Sequence, residues 1–512
     1  MVLATTGILV RFLGAAFRIP LANIVGNYGM GLYQMVFPVY ALLLVIASSG
    51  IPVAISKMVA KEKTAENMGE CKRILWHALL LLAFVGLIFG IIFATLAGQI
   101  AAVQGNVGNE KFYLAIAPAV LAVCLMAAFR GYFQGLSNMV PTAASQLIEQ
   151  LTKLVLGITL AVIMLPRGVE WAVFGAILGT TVGEFIALGF FVVIYLVHQK
   201  RTKNKEMPVK KVTKRIDFKL VWRIFKTALP ITLLASVFPL LLVLDSFVVV
   251  RMLAEAGEST RDATRLFGIS TGAVHTLVNM PAVLAIAIGL AIVPMAAKLL
   301  KQGKSEKVRE KFLLSIKIIV VISLFFSLFY VVFANELISF VYARAFKENP
   351  AQLPTAVTLL RVEAAMISLV GLSMIFSSLL QGSDKSYLAL ASLVAGGVAK
   401  IVLQFSLIGV LGIYAVSIGN IACFAVALTL NTIFVSKFLE LKPRLFNAKI
   451  KILAAVYVGL LFLLKVTMPG GKGWIILSGA ICFIVYSIIV LALGIFPINV
   501  FKLPWSGQKS KT

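Results

Sequence analysis

Three features of this sequence point to an all-α polytopic membrane protein with about fourteen transmembrane helices. Of its 512 residues, 60% are hydrophobic and 13% charged, and the mean hydropathy is +1.01, which sets the chain apart from soluble globular domains. The apolar residues fall in runs near or above the roughly 20 residues that a helix needs to cross a bilayer. The stretches between them alternate between strongly basic and sparsely charged, as loops on the two sides of a membrane do.

The same features exclude other classes. The formal charge of +27 does not indicate a nucleic-acid partner, because the charges sit in short stretches between apolar runs. There they act as topology signals and as contacts with anionic membrane lipids. No cleavable signal peptide is expected, since the first run is too long for an h-region and lacks an A-x-A site. Cys71, Cys124, Cys423 and Cys482 are scattered without paired or metal-ligand spacing.

The first run, residues 3–24, contains Arg11 and Arg18. Seven residues is nearly two helical turns, so both lie on one face. An arginine at membrane depth costs roughly 2.5–3.5 kcal/mol on insertion scales. Either the two line a cavity for an anionic substrate, or each snorkels to an interface; their shared face favours the cavity. The next runs span 33–56, 74–97 and 112–134, with Lys57, Lys61, Lys63, Lys72 and Arg73 in a basic loop. Run 143–165 carries Glu149 and Lys153 four residues apart, a spacing for a local ion pair that either locks packing or borders a cavity. Run 171–197 holds Gly175, Gly179 and Gly183, at the spacing of closely packed helices, followed by Glu184.

The basic stretch 199–220 reads as a solvated linker held to anionic headgroups. It divides the chain into a six-helix lobe (1–198), a second six-helix lobe (221–437) and a region of two further helices with a tail (438–512). The second lobe begins with run 226–250, which contains Asp245, with Arg251 near its end. Run 268–296 contains His275 and Asn279, and runs 312–333 and 355–380 follow, the latter with Arg361 and Glu363. Runs 386–408, with Lys400, and 411–436 complete the lobe, and 449–467 and 473–496 lie beyond it. Further basic stretches hold Lys298 to Lys311, Lys437, Lys442, Arg444, Lys449 and Lys451, and the tail adds Lys502, Lys509 and Lys511. The positive-inside rule then places both termini and these stretches in the cytoplasm.

The halves resemble each other. Aligned without gaps from Phe129 and Phe376, they share Gln134/Gln381, Gly135/Gly382, Ser145/Ser392 and Lys153/Lys400. Six spans is an even number, so both copies insert the same way, related by an axis along the membrane normal. Two bundles facing a central cavity suit alternating access. In the second copy Gly396 stands where Glu149 would, leaving Lys400 without that helical partner and directing it to the cavity or another carboxylate. Glu184 and Asp245 are the candidates for a coupling ion, Na+ or H+, or equally for pairing with an arginine.

Signals for an enzyme are poor. Gly268-Ile269-Ser270-Thr271-Gly272 fits a nucleophile elbow but enters a membrane helix instead of a strand–turn–helix. No P-loop or metal-ligand spacing is present, so neither metal nor other cofactor is expected.

The pattern Arg11, Leu13, Gly14, Arg18, with VGNYGMGLYQMVFPVY (Val25–Tyr40), SSGIPVAISKMVA (Ser48–Ala60) and FRGYFQGLSNMVPTAASQLIEQ (Phe129–Gln150), resembles the stage V sporulation protein B branch of polysaccharide exporters. Their superfamily also holds the MurJ lipid II flippases and the MATE multidrug exporters. The resemblance implies a MATE-like fold with two C-terminal helices added, in a bacterial cytoplasmic membrane. It implies a flippase for an undecaprenyl-linked saccharide, with lipid II for peptidoglycan as the leading substrate and the cell-wall synthesis machinery as a possible partner. Arg11 and Arg18 match the first two cavity arginines of the MurJ pattern. Leu43, Leu44 and Thr276 stand where two more would be. The competing readings are a cation-coupled drug exporter, an exporter of another lipid-linked polysaccharide, a membrane-embedded transferase and a structural scaffold.

Overall fold

The structure, a computed structural model, describes residues 2–65, 67–203, 217–439, 448–467 and 473–496, and all regular elements among them are helical. Most of the linker, together with Lys442, Arg444, Lys502, Lys509 and Lys511, lies outside the described residues.

The chain opens with α1 (Val2–Ser48), broken at Gly26, whose φ of +68° turns the helix without a Cβ penalty. No loop separates the first two expected spans. The apolar path Leu9–Thr64 is 56 residues long, about 84 Å at 1.5 Å per residue, more than twice a bilayer core. It is one of thirteen apolar helical segments long enough to cross among the described residues. Counted as two crossings, it accounts for all fourteen expected spans of a multi-pass membrane protein. The stretch with Lys57, Lys61 and Lys63, expected as a loop, is the helix α2 (Gly50–Thr64). Val59 on it is fully buried and Lys63 Nζ donates to Leu136 O at 2.8 Å, so tertiary packing extends the helix past the bilayer.

α3 (Met68–Thr95) starts on Asn67, whose side chain accepts from Glu70 N, and runs into the short α4 (Ala97–Val103). α5 (Lys111–Gly135) is the most enclosed helix of the first half. α6 (Val140–Met164) and α7 (Val169–Lys203) meet backbone to backbone: a Cβ on Gly179 would lie 2.5 Å from Gly157 and one on Gly175 2.6 Å from Leu160 O. The glycine spacing in the sequence therefore marked a real close approach.

α8 (Phe218–Glu255) begins at Asp217, whose Oδ1 accepts from Lys219 N and Leu220 N. α9 (Thr260–Phe267) leads through one π-helical turn, Gly268–Val274, into α10 (His275–Lys301). α11 (Ser305–Val332) then runs into the short α12 (Ala334–Val341), as α3 runs into α4. α13 (Leu353–Gly382), α14 (Ser386–Leu411) and α15 (Tyr414–Leu439) complete the second half. α16 (Ala448–Thr467) and α17 (Trp474–Ala492) pack on α11, where Tyr457 and Tyr486 donate to Phe325 O and Val321 O.

The halves touch at the end opposite the basic loops, where Cβ atoms on Gly31 or Gly268 would collide with Thr264 O or Asn27 O. Asn23 on α1 donates to Val341 O at 2.8 Å and accepts from Arg344 N at 3.0 Å, tying the same ends together. Near the basic end α2 abuts α8 through Gly50, whose Cβ would meet Ala228 O. Between these contacts the halves part around a cavity.

Candidate functional site: a cationic cavity between the halves

A void of about 360 Å³ is bounded by α1 and α6 on one side and by α8, α10, α13 and α15 on the other. Arg11, Arg18, Gln150, Lys153, His275, Thr276 and Asn279 are its polar lining, and among the described residues no carboxylate lines it. Apart from His275, Thr276 and Asn279, its second-half wall is apolar and methionine-rich, with Met280, Met366, Met374 and Phe238. A neighbouring void of about 210 Å³ shares Arg18, Phe37, His275 and Asn279 and adds Asp245 and Asn420.

Arg11 and Arg18 line this cavity from one face of α1, with Gly14 and Ala15 between them leaving the space open. Arg11 is exposed, and Arg18 Cζ lies over the Phe37 ring at 5.3 Å. Lys153 is buried, with Nζ over Phe37 at 4.4 Å and Phe17 at 5.0 Å. Cation–π attraction of this kind holds an ammonium without neutralising it.

The local Glu149–Lys153 pair expected from spacing does not form. Glu149 Oε2 instead accepts from Arg130 Nη2 at 2.9 Å, and Gln150 Nε2 donates to its other oxygen at 3.3 Å. Glu149 is absent from the cavity lining. Arg130 provides a planar guanidinium from α5, a better partner than the ammonium one turn along the same helix. Among the described residues, Lys153 is left without a carboxylate at ion-pair distance.

Of the two places expected for Lys400, the cavity or another carboxylate, it takes the second. Its Nζ donates to Asp245 Oδ2, Gln404 Nε2 donates to Asp245 Oδ1 at 3.1 Å, and both charged groups are buried. Lys400 lines neither void. Asp245 has both oxygens occupied, by a lysine and a glutamine and not by an arginine, and Arg251 near the end of the same run pairs with Glu255. Glu184 is buried behind α1, accepting from Tyr40 OH at 2.8 Å with Oε1, while Oε2 has no hydrogen-bond partner.

One constellation was not legible as a unit. His275 Nδ1 lies 3.7 Å from Glu363 Oε2, and Ser417 Oγ donates to Glu363 Oε1 at 2.7 Å. Three helices far apart in the chain supply these groups, and no spacing in the sequence links them. The Gly268–Gly272 motif is absorbed into the π-helical turn, where Gly268 lets the backbone of Asn27 approach. No group of three or more His, Cys, Asp or Glu able to hold a metal occurs among the described residues.

The chain matches the polysaccharide biosynthesis protein family over residues 1–300 and the MatE family over residues 270–406. It is 29% identical to Stage V sporulation protein B of Bacillus subtilis over 343 residues, covering 67% of this chain and 66% of that protein. It is 27% identical to the Lipid II flippase MurJ of the same organism over 435 residues, covering 80% of this chain and 78% of that one. It superposes on a solved structure of a Lipid II flippase MurJ in an inward closed conformation with a TM-score of 0.73 at 14% identity, covering 96% of this chain and 99% of that one. These relatives are named as a sporulation protein and a flippase, and the superposition establishes a shared fold.

Proposed function

The chain belongs to the polysaccharide biosynthesis protein family, and we propose that it moves a lipid-linked saccharide across the membrane, with the anionic head group carried in the cavity between its halves. The observation that carries this reading is the convergence of Arg11, Arg18 and Lys153 on a void with no carboxylate among the described residues of its lining. A phosphate-linked head group cannot cross roughly 30 Å of hydrocarbon unaided. Guanidinium groups offer it paired, charge-assisted hydrogen bonds, and the ammonium adds a point charge. The prenyl tail stays in lipid while the head group is sequestered, and rocking of the halves delivers the head group to the other side. With the basic loops and both termini cytoplasmic, the contacts at Gly31, Gly268 and Asn23 close the outer side, and the cavity is in a loading state.

Lipid II is the leading substrate, on the strength of the flippase relative that aligns over most of this chain. A drug exporter for organic cations is disfavoured, because three cations with no carboxylate at ion-pair distance among the described residues would repel its substrates.

The test is rescue of bacterial cells depleted of their own lipid II flippase, at matched membrane abundance. Wild type should restore growth, and Arg11→Ala and Arg18→Ala should not. Absence of rescue by well-expressed wild type would move the substrate to another lipid-linked glycan. Rescue indifferent to both arginines would remove the cavity from the transport path.

A further inference from the structure

We propose that His275 and Glu363 form a proton site in the cavity wall, and that entry of an anionic head group draws one proton onto it. The inference rests on the reading that the cavity takes an anion. His275 opens α10 directly after the π-helical turn and borders both voids. Glu363, on α13, is fully buried. Of its two oxygens, Oε1 accepts from Ser417 Oγ, while Oε2 has no hydrogen-bond donor and faces His275 Nδ1 at 3.7 Å. A buried carboxylate with one open oxygen needs either a positive neighbour or a proton.

The groups around His275 decide which it has. Arg18 on α1 borders the same two voids, and Arg11 and Lys153 border the larger one. Asp245 on α8 is already paired with Lys400 and accepts a hydrogen bond from Gln404. α15 contributes the neutral Asn420 and Ser417. The hydroxyls of Tyr330 and Tyr342 donate to Leu277 O and Ala273 O, so each is engaged with backbone.

In the empty cavity Arg11, Arg18 and Lys153 border the same void as His275 and oppose a further positive charge there. A diphosphate engages the three cations and removes that opposition. A proton on His275, with Nδ1–H directed at Glu363 Oε2, then gives the buried carboxylate a positive neighbour. The step is one proton transfer: an O–H bond of solvent hydronium breaks and an imidazole N–H bond forms when the head group binds, and the reverse occurs when it departs. Head-group binding thereby becomes tighter as pH falls, and any transmembrane proton gradient biases loading and release. By linkage, the proton count and the pH dependence of affinity are one quantity.

The experiment uses the purified full-length protein and farnesyl diphosphate, a short soluble prenyl diphosphate. Calorimetric titrations in two buffers of different ionisation enthalpy give the protons exchanged. Wild type should take up about one proton per ligand. H275Q should take up none, and its affinity should lose its dependence on pH. E363Q should also take up none yet bind at least as tightly as wild type, since a negative charge has left the wall. Binding by wild type without proton uptake, or uptake unchanged in both variants, would overturn the proposal. Failure of the diphosphate to bind at all would overturn the anion reading and the coupling with it.

A ligand-free arm tests the pair by itself. The sequence has only three histidines, so the imidazole NMR signals can be assigned with H275Q. The titration midpoint of His275 should fall in E363Q, because the carboxylate favours the imidazolium. A midpoint indifferent to E363Q would overturn the pair whatever the diphosphate does.

Discussion

Lys153 and Lys400 occupy equivalent positions in the two halves and differ in their partners. Lys153 loses its neighbouring carboxylate to Arg130 and faces the cavity over two aromatic rings. Lys400 finds Asp245 across a helix interface and is buried with it. Replacing Lys153 by Met should weaken diphosphate binding by about 1.5–3 kcal/mol, roughly 10- to 150-fold, the range for a hydrogen bond to a charged group; a binding titration of the purified protein checks it. Lys400→Met should leave Asp245 buried and unpaired, costing about 3–5 kcal/mol of stability. The double variant with Asp245→Asn should recover most of this in thermal unfolding, and equal melting of single and double variants would argue against a buried charge pair. The sequence revealed Arg11 and Arg18 as a stripe because helical periodicity alone places them together. It misassigned Glu149 because the i,i+4 rule knows nothing of Arg130 on another helix, and it left Lys400 between two fates because Asp245 is 155 residues away.

At the level of elements, glycines decide where helices approach. Gly396, which stands in place of Glu149 in the second half, lies where a Cβ would be 2.3 Å from Cys423 O, so packing of α14 on α15 excludes any side chain there. A methyl on Gly31 would lie 2.0 Å from Thr264 O, within the contact that closes the end opposite the basic loops. Gly31→Ala should disfavour the closed arrangement by about 1–3 kcal/mol, the range for overpacking. Spin labels on α1 and α12 near that end should then report a longer-distance population; an unchanged distribution would contradict this role. At the basic end, Asp217 caps α8 and pairs with Arg73 of α3 at 3.0 Å. The Leu220 and Lys219 N–H groups, with Arg73 beside them, hold its carboxyl below the usual 3.8. A depressed folded value means that the contribution to stability is full above the unfolded pKa and is lost as pH falls through the folded one. The acid limb of a pH–stability profile, below about pH 4, should therefore flatten in Asp217→Asn. The crossings were legible from hydrophobic run length, whereas the extension of α2 past Lys57 was not, because its stability comes from burying Val59 and anchoring Lys63 on Leu136.

Across the whole molecule the duplication shows in more than the residues that match. The paired short helices α4 and α12 follow their long partners at corresponding places, a likeness that the aligned positions do not display. The first half presents arginines and a lysine to the cavity while the second presents methionines, His275 and two phenylalanines. A head group held on one wall and released along the other suits halves that rock against each other. The asymmetry was only partly visible in the sequence, since which face of α10 or α13 meets the void is settled by tertiary packing. The most direct measurement is flipping itself: the purified protein in vesicles containing lipid II labelled on its head group, with exposure of the label read by a membrane-impermeant quencher. Wild type should make the inner-leaflet pool accessible, and the variant combining Arg11→Ala, Arg18→Ala and Lys153→Ala should leave it as protected as in protein-free vesicles. Equal rates for wild type and the triple variant, or wild type no faster than lipid alone, would contradict transport through a cationic cavity.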